Sequence, residues 1–265
     1  MNLNGLLKQA LSHSDPDKLV EAQKRGLSAE DREFLENALK AQGEGLADVF
    51  NRLRSAIDVE EYDQDAVQLR FDELLDSACE THNAVDLIRI DAFPYFFDTL
   101  LVHSNSFIIS NALQVLSTAA SNNPEVQNYL QEQFNAIQVS LNLTKHQDAT
   151  VRLRSISFCS SLLQNNSNNI SIFGKNGIDT ISAFIEENSR FAVRILHILN
   201  YTFDFIQEVS HVAVSSIFKY LALFPDTTGD PYLEQVCEEG VDYLTKTKYV
   251  MNSSQTQLVS NWLNK

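Results

Sequence analysis

The sequence predicts an all-α protein, and three observations support this prediction. The chain of 265 residues has 8 glycines and 5 prolines, which leaves few residues for β-type turns. An Asn-led turn followed by amphipathic helical runs occurs three times, with its leading Asn at positions 83, 123 and 166. Steps of 40 and 43 residues between these positions are typical of armadillo and HEAT units. We therefore predict an armadillo/HEAT-like right-handed α-solenoid, whose units stack because none can bury its own apolar stripe alone.

The first 45 residues differ from the rest of the chain and are predicted to form a loosely attached segment. Leu6, Leu7 and Leu11 give this segment a short apolar stripe at helical spacing. Asp15 and Pro16 restart the chain soon afterwards as an N-cap and a first-turn proline. Helices this short are barely stable in water without packing. The predicted domains are thus a flexible segment at 1–45 and a repeat domain at 46–265.

The repeat domain is expected to open with helices at 46–57 and 64–81. An acidic stretch precedes the second of these, and negative charge at a helix start suits the helix macrodipole. The three repeated units follow, up to residue 181. Further helices are predicted at 189–203, 206–223, 231–247 and 253–263, and the run at 225–231, with two prolines and a glycine, is the strongest break among them.

Composition excludes several classes of partner. The net charge is −15 and the pI is near 4.7, which disfavours nucleic acid and anionic membranes, because both require concentrated Lys and Arg. Residues 90–144 contain no Lys or Arg at all. No apolar run approaches the ~18 residues of a membrane span, and the N-terminus lacks the pattern of a secretory signal. We expect a monomer in the cytoplasm, and the nucleus is the alternative location.

The sequence carries none of the motifs that mark common catalytic or cofactor sites. It has no phosphate-binding loop, dinucleotide fingerprint, zinc-protease motif or hydrolase nucleophile elbow. Cys79, Cys159 and Cys237 lie far apart without nearby His at metal-ligand spacing, so we expect reduced thiols. The sequence predicts a protein that is not an enzyme and that has no metal and no cofactor.

The last helix of each unit carries a polar stripe, which is the predicted contact surface. At 100° per residue, three helices each place four polar side chains on one narrow face. These stripes are Ser110, Gln114, Ser117 and Ser121; then Arg154, Ser157, Ser161 and Gln164; then Arg190, Arg194, His197 and Tyr201. The alternative is an ordinary solvated face, since every amphipathic helix needs one.

Two further patterns have structural interpretations. Arg152 falls within the apolar sector of its helix, and we expect it to pair with Asp148, which is also the natural N-cap. For Asn83, Asn123 and Asn166 we favour turn and cap chemistry over a contact role.

Several of these segments, in this order, resemble the armadillo-type nucleotide exchange factors of heat shock protein 70 chaperones. Phe71-Asp72 is followed by Asn83-Ala84 and Ala92-Phe93, as in the opening of that family's repeat domain. The runs at 121–127, 151–155 and 160–166 are similar to its later turns and third block, and Leu6-Leu7 to its N-terminal start. The resemblance covers residues 1 to about 205 through order and spacing rather than through any single motif.

The resemblance implies a non-catalytic co-chaperone that binds the ATPase domain of a heat shock protein 70 chaperone and accelerates ADP release. It implies that Ala84 and Arg194 lie at the contact, and that Leu6, Leu7 and Leu11 form a segment that helps to release chaperone substrates. The predicted partner-binding residues are Asn83, Ala84, Ser110, Gln114, Arg154, Ser157, Arg190, Arg194, His197 and Tyr201. The alternative function is a generic armadillo adaptor that binds another protein or a peptide in its groove.

Overall fold

The computed structural model describes residues 45–223 and 232–264, and every regular element in these ranges is helical. The elements are α1 (Leu46–Ile57), α2 (Gln64–Ala78), α3 (Thr81–Arg89), α4 (Phe93–Tyr95), a π-helical turn (Phe96–Leu100), α5 (Ser106–Ala120), α6 (Pro124–Phe134), α7 (Ala136–Leu143), α8 (Ala149–Leu163), α9 (Ser167–Ser182), α10 (Ser189–Ile206), α11 (His211–Leu223), α12 (Leu233–Lys246) and α13 (Ser253–Leu263). The predicted all-α class is confirmed. None of these helices has the length and apolar content needed to cross a membrane.

Contacts group the chain into two compact units, residues 1–70 and 71–265, with the boundary inside α2. In the described part of the first unit, α1 is amphipathic and buries Val49, Phe50, Leu53 and Ile57. The Gly45 amide donates to the Asp48 carboxylate at 3.3 Å, which satisfies one of the unpaired groups at the helix start. The predicted division at residue 45 stays a prediction, since residues 1–44 lie outside the described ranges.

The second unit repeats a three-helix pattern. Helices α3, α6 and α9 begin the repeats at Thr81, Pro124 and Ser167, so the structural period is 43 residues at both steps. Helix α9 corresponds to the first two helices of its repeat, which meet at a break in the backbone at Gly174, where φ is 50° and ψ is −161°. Helices α5, α8 and α10 close the three repeats, and α11 and α12 continue the pattern as a pair.

The cap chemistry predicted for the leading Asn residues is confirmed at two of three positions. The Asn123 side chain accepts from the amide of Val126, and the Asn166 side chain accepts from the amide of Asn169. Asn83 was assigned to the wrong register: the equivalent position, 43 residues before Asn123, is Glu80. Asn83 lies inside the first turn of α3 and donates to the Glu80 carboxylate at 3.2 Å.

Residues with left-handed backbone conformation mark the corners between helices. At the corner between the first and second helices of a repeat they are Asp91, Asn135 and Gly174. At the corner after the last helix they are Asn122, Asn165, Gln207 and Lys248. Asn and Asp tolerate this conformation better than other side chains, which explains why Asn recurs at the turns of this sequence.

The closing helices of the repeats stack in chain order. Helix α5 packs on α8, α8 on α10, and α10 on α12. Their buried faces carry mostly aliphatic side chains, including Leu113, Ile156 and Leu196. Successive repeats thus share one continuous apolar core, as in a solenoid. The predicted all-α solenoid is confirmed.

A buried amide network joins neighbouring repeats. Gln127 has no exposed surface, and its amide nitrogen lies 3.0 Å from the carbonyl oxygen of Ala120, 2.8 Å from that of Ser161 and 3.0 Å from that of Gln164. Its own oxygen accepts from Asn166 at 3.1 Å. One side chain therefore caps the C-terminal ends of both α5 and α8, where helices leave carbonyl groups unpaired.

Arg152 pairs with a different residue from the one expected. Its guanidinium forms a two-point ion pair with Glu187, and donates to the carbonyl oxygens of His146 at 2.9 Å and Gln147 at 2.8 Å. Hydrogen bonding to Glu187 raises the pKa of Arg152. Asp148 is the N-cap of α8, as predicted, and one oxygen of its carboxylate accepts from the amides of Thr150 and Val151. The prediction of an Arg152–Asp148 ion pair was wrong, because the guanidinium is directed to Glu187 and to the two carbonyl oxygens instead.

Candidate functional site

The polar stripes of α5, α8 and α10 lie side by side and form one cleft. Two adjoining hollows, of about 720 and 320 Å³, share Arg154, Ser157, Arg194 and His197 in their walls. The larger extends towards Arg190 and the start of α12, and the smaller extends towards α5. We call this surface the basic cleft, defined by Gln114, Ser117, Arg154, Ser157, Arg190, Arg194 and His197.

Three arginines give the basic cleft its charge. Burial and the neighbouring Arg194 guanidinium both lower the pKa of Arg154, with burial the larger cause. Within the described ranges, Arg154, Arg190 and Arg194 form no ion pair with a carboxylate. Arg190 instead lies over the ring of Tyr232, with 5.1 Å between the guanidinium carbon and the ring centroid. Like charges held together without counter-ions favour an anionic ligand.

His197 stands at the junction of the two hollows and connects to α12. Its Nδ1 lies 3.5 Å from a carboxylate oxygen of Glu239, and the other carboxylate oxygen accepts from Asn200 at 2.8 Å. The hydrogen bond with His197 is the largest cause of the lowered pKa of Glu239. Glu239 is held in its charged form beside the cleft and fixes the orientation of the imidazole.

Two residues of the predicted stripes do not line the basic cleft. The Tyr201 hydroxyl donates to the carbonyl oxygen of Ser160 at 3.1 Å, and burial raises the pKa of Tyr201. Tyr201 therefore ties α10 to α8 instead of facing the cleft as predicted. Ser110 lies outside the cleft walls and donates to the carbonyl oxygen of Phe107 at 3.0 Å. Ser117 does line the cleft, but its hydroxyl is bonded to that of Ser161 at 2.8 Å.

The residues carried over from the family resemblance meet different outcomes. Arg194 is exposed in the basic cleft. Ala84 is 1% exposed, so its methyl group lies in the core of the unit and offers no surface to a partner. The expectation of a contact at Ala84 fails because α3 packs this face against its neighbours α5 and α6. Leu6, Leu7 and Leu11 lie outside the described residues.

The structure adds cleft residues that the sequence analysis missed. Asn188, Tyr232 and Gln235 line the larger hollow from the start of α10 and of α12. Asn188 is the N-cap of α10, and Tyr232, 44 residues later, occupies the same position before α12. Extending the repeat spacing by one further step would have identified the start of α12 as part of this surface.

The described ranges offer no arrangement suited to a metal. No group of three His, Cys or carboxylate side chains within them lies close enough together to hold an ion. Burial raises the pKa of Cys159 to about 12, so this thiol stays protonated at physiological pH.

Comparison with known proteins gives similarity of fold. No protein-family model matches the sequence, and no curated protein matches it. Among solved structures, an engineered protein from a structural genomics consortium is similar over 84% of this chain and 86% of its own, with a TM-score of 0.58 and 12% identity. A designed armadillo repeat protein is similar over 82% of this chain and 88% of its own, with a TM-score of 0.58 and 16% identity.

A further designed armadillo repeat protein, solved in complex with the peptide (KR)4, is similar over 83% of this chain and 99% of its own. Its TM-score is 0.52 and its identity is 15%. At such identities the likeness concerns the fold alone. Together with the stacked three-helix units, it defines this chain as an armadillo-type α-solenoid.

Proposed function

We propose that this chain is a protein-binding scaffold whose contact surface is the basic cleft. The observation that supports this is the set of three arginines, Arg154, Arg190 and Arg194, which have no carboxylate partner in the described ranges although the chain carries a net charge of −15. A chain with 35 acidic residues could readily neutralise these cations internally. Leaving them together at a cleft favours a partner that brings its own carboxylates.

We further propose that the partner is the ATPase domain of a heat shock protein 70 chaperone and that binding accelerates ADP release. What supports this is the ordered resemblance of residues 71–205 to the armadillo-type exchange factors. The mechanism is negative coupling: a protein that prefers the opened ATPase domain weakens nucleotide binding by the factor by which nucleotide weakens its own binding. A coupling free energy of about 3 kcal/mol corresponds to roughly 150-fold weaker nucleotide binding, and no residue of the scaffold need touch ADP.

Catalysis by this chain is not part of the proposal. The arginines would act by holding one lobe of the ATPase domain through charge-assisted hydrogen bonds to surface carboxylates. The ATPase domain would be both the surface that the scaffold binds and the domain whose affinity for nucleotide changes. The scaffold would contribute rigidity and charge, and the chaperone would contribute all of the nucleotide chemistry.

The experiment is a stopped-flow measurement of fluorescent ADP release from a purified heat shock protein 70 chaperone. We expect acceleration by the wild-type chain, and loss of most of it on Arg154→Ala combined with Arg194→Ala. The matched control is Arg54→Ala combined with Arg89→Ala, which removes two exposed positive charges outside the basic cleft. Ala84→Arg would disturb the core and is unsuitable as a test of contact.

Two results would refute the proposal at different levels. If the wild-type chain bound the chaperone without changing ADP release, the exchange activity would be wrong while the scaffold function stood. If the double arginine variant bound and exchanged as well as the wild type, the basic cleft would not be the contact surface.

The second candidate function is a generic adaptor that binds an extended peptide in the cleft. One of the similar designed proteins is in complex with the basic peptide (KR)4. The arginines of this chain would repel such a peptide, so an adaptor of this type would bind an acidic one. Binding of an acidic peptide in the absence of any effect on a chaperone would favour this candidate.

A further inference from the structure

A second cleft lies on other elements of the same unit. It has a volume of about 600 Å³ and is formed by the π-helical turn, the end of α6, and α7. No residue of this cleft is shared with the basic cleft. Its volume falls within the range of about 300 to 1,000 Å³ that is usual for ligand sites.

The floor of this cleft is aromatic and fixed by stacking. The rings of Phe97 and Phe134 are nearly parallel, at 9°, with centroids 4.3 Å apart. Tyr129 meets Phe134 edge-on at 6.0 Å, which holds the pair in place. At the rim, the side chain of Val102 is 72% exposed, so an apolar surface continuous with the aromatic floor faces solvent. The π-helical turn that carries Phe97 is a rare element that occurs often at functional sites.

The charge around the cleft has one sign. Asp98 and Glu132 are exposed members of its wall, and its other lining residues are apolar or neutral. Neither carboxylate forms an ion pair with a described residue. Residues 90–144, which include the whole lining, contain no Lys or Arg. The cleft therefore combines an apolar floor with an unneutralised acidic rim.

We propose that this acidic-rimmed cleft docks a segment of a partner protein that carries a Leu or aromatic side chain next to Lys or Arg. The apolar side chain covers the aromatic floor and Val102, and the cation meets the Asp98 and Glu132 carboxylates. This occupant is opposite in charge to the partner of the basic cleft. The inference does not depend on the proposed exchange function, because the two clefts share no residue.

The test uses three fluorescein-labelled peptides of one length and measures binding by fluorescence anisotropy. One peptide places Leu and Lys at helical spacing, the second replaces each Lys by Glu, and the third replaces each Leu by Ser. We expect the wild-type chain to bind only the Leu/Lys peptide. Asp98→Asn combined with Glu132→Gln should weaken that binding about fivefold, as expected for two exposed charge pairs. Val102→Ser should also weaken it, and this exposed position leaves the fold intact.

The matched control removes the same amount of charge elsewhere. Glu125→Gln combined with Glu238→Gln neutralises two exposed carboxylates that lie outside the cleft, and should leave peptide binding unchanged. Equal weakening by the two double variants would mean attraction by net charge alone and would overturn the proposal. Equal binding of the Leu/Glu peptide, or of the Ser/Lys peptide, would overturn it as well. So would a wild-type dimer that Val102→Ser converts to a monomer, because a second copy would then occupy the cleft.

Discussion

Replacing Gln127 by Leu tests whether the buried amide network stabilises the stacked repeats. Leu has a similar volume and fits an apolar surrounding, so the change removes hydrogen bonds without opening a large cavity. The carbonyl oxygens of Ser161 and Gln164 would lose their donor, and both meet Gln127 where its side chain has no exposed surface. The carbonyl oxygen of Ala120 would keep the amide of Asn123, and Asn166 would keep Asn128 as an acceptor.

The expected loss follows from these contacts. A hydrogen bond contributes about 1 kcal/mol net, and a buried carbonyl group left without a donor costs about 1 to 3 kcal/mol. We therefore expect Gln127→Leu to lower the free energy of unfolding by about 4 kcal/mol. The apolar side chain gains some stability from burial, which offsets part of this loss and keeps the estimate below the sum of the parts.

Urea unfolding followed by helical circular dichroism measures the effect. Gln133→Leu is the matched control, since this residue lies on the same helix, α6, and is exposed. The control should change the free energy of unfolding by less than about 0.5 kcal/mol. A loss of under about 1 kcal/mol for Gln127→Leu would refute the reasoning, because the carbonyl groups would then be satisfied in some other way.

Three further predictions concern thiols, pH and the α9 break. A disulfide reagent at mildly alkaline pH should modify exposed Cys79 quickly and Cys159 only after unfolding, since burial raises the pKa of Cys159 to about 12; rapid reaction of Cys159 would contradict this. The pKa of Glu239 is lowered in the folded protein, so its charge stabilises the fold at pH values above the ordinary pKa of glutamate, and this stabilisation is lost as the pH falls through the lowered pKa. The free energies of unfolding of the wild type and Glu239→Gln should therefore converge on acidification. A difference that stayed constant with pH would exclude this contribution of Glu239. Gly174→Ala should cost about 2 kcal/mol in urea unfolding because φ is 50° there, although no atom lies within 4 Å of the added methyl group; an unchanged midpoint would show that the backbone relaxes.

The sequence predicted the fold well where periodicity and cap chemistry agree. The bounds of α1 and α13, and the N-cap roles of Asp148, Asn123 and Asn166, were all predicted from local patterns. The N-cap of the first repeat was placed at Asn83, three residues too late, because the repeats were aligned by their Asn residues. The structure aligns them instead by the helix starts at Thr81, Pro124 and Ser167. Residue identity alone does not fix a register that packing decides.

The cleft was predictable only in part, for a geometric reason. A helical wheel places Arg154, Arg194 and His197 on the outer stripes of α8 and α10, and the structure brings these side chains to one cleft. The wheel also places Tyr201 there, but a long side chain can turn back and bond to a neighbouring helix, as its hydroxyl does with Ser160. Arg152 was paired within its own helix, while its partner Glu187 belongs to a corner in the next repeat. Contacts between repeats depend on how the helices stack, which one helix cannot specify.

The position of Gln127 in the chain has a consequence for synthesis on the ribosome. Two of the carbonyl groups that it caps belong to Ser161 and Gln164, which emerge more than thirty residues later. While the nascent chain ends between α6 and Ser161, helix α6 is complete but the side-chain amide of Gln127 does not yet have these two carbonyl partners. We expect the repeat formed by α6, α7 and α8 to consolidate only when its own closing helix, α8, has left the exit tunnel.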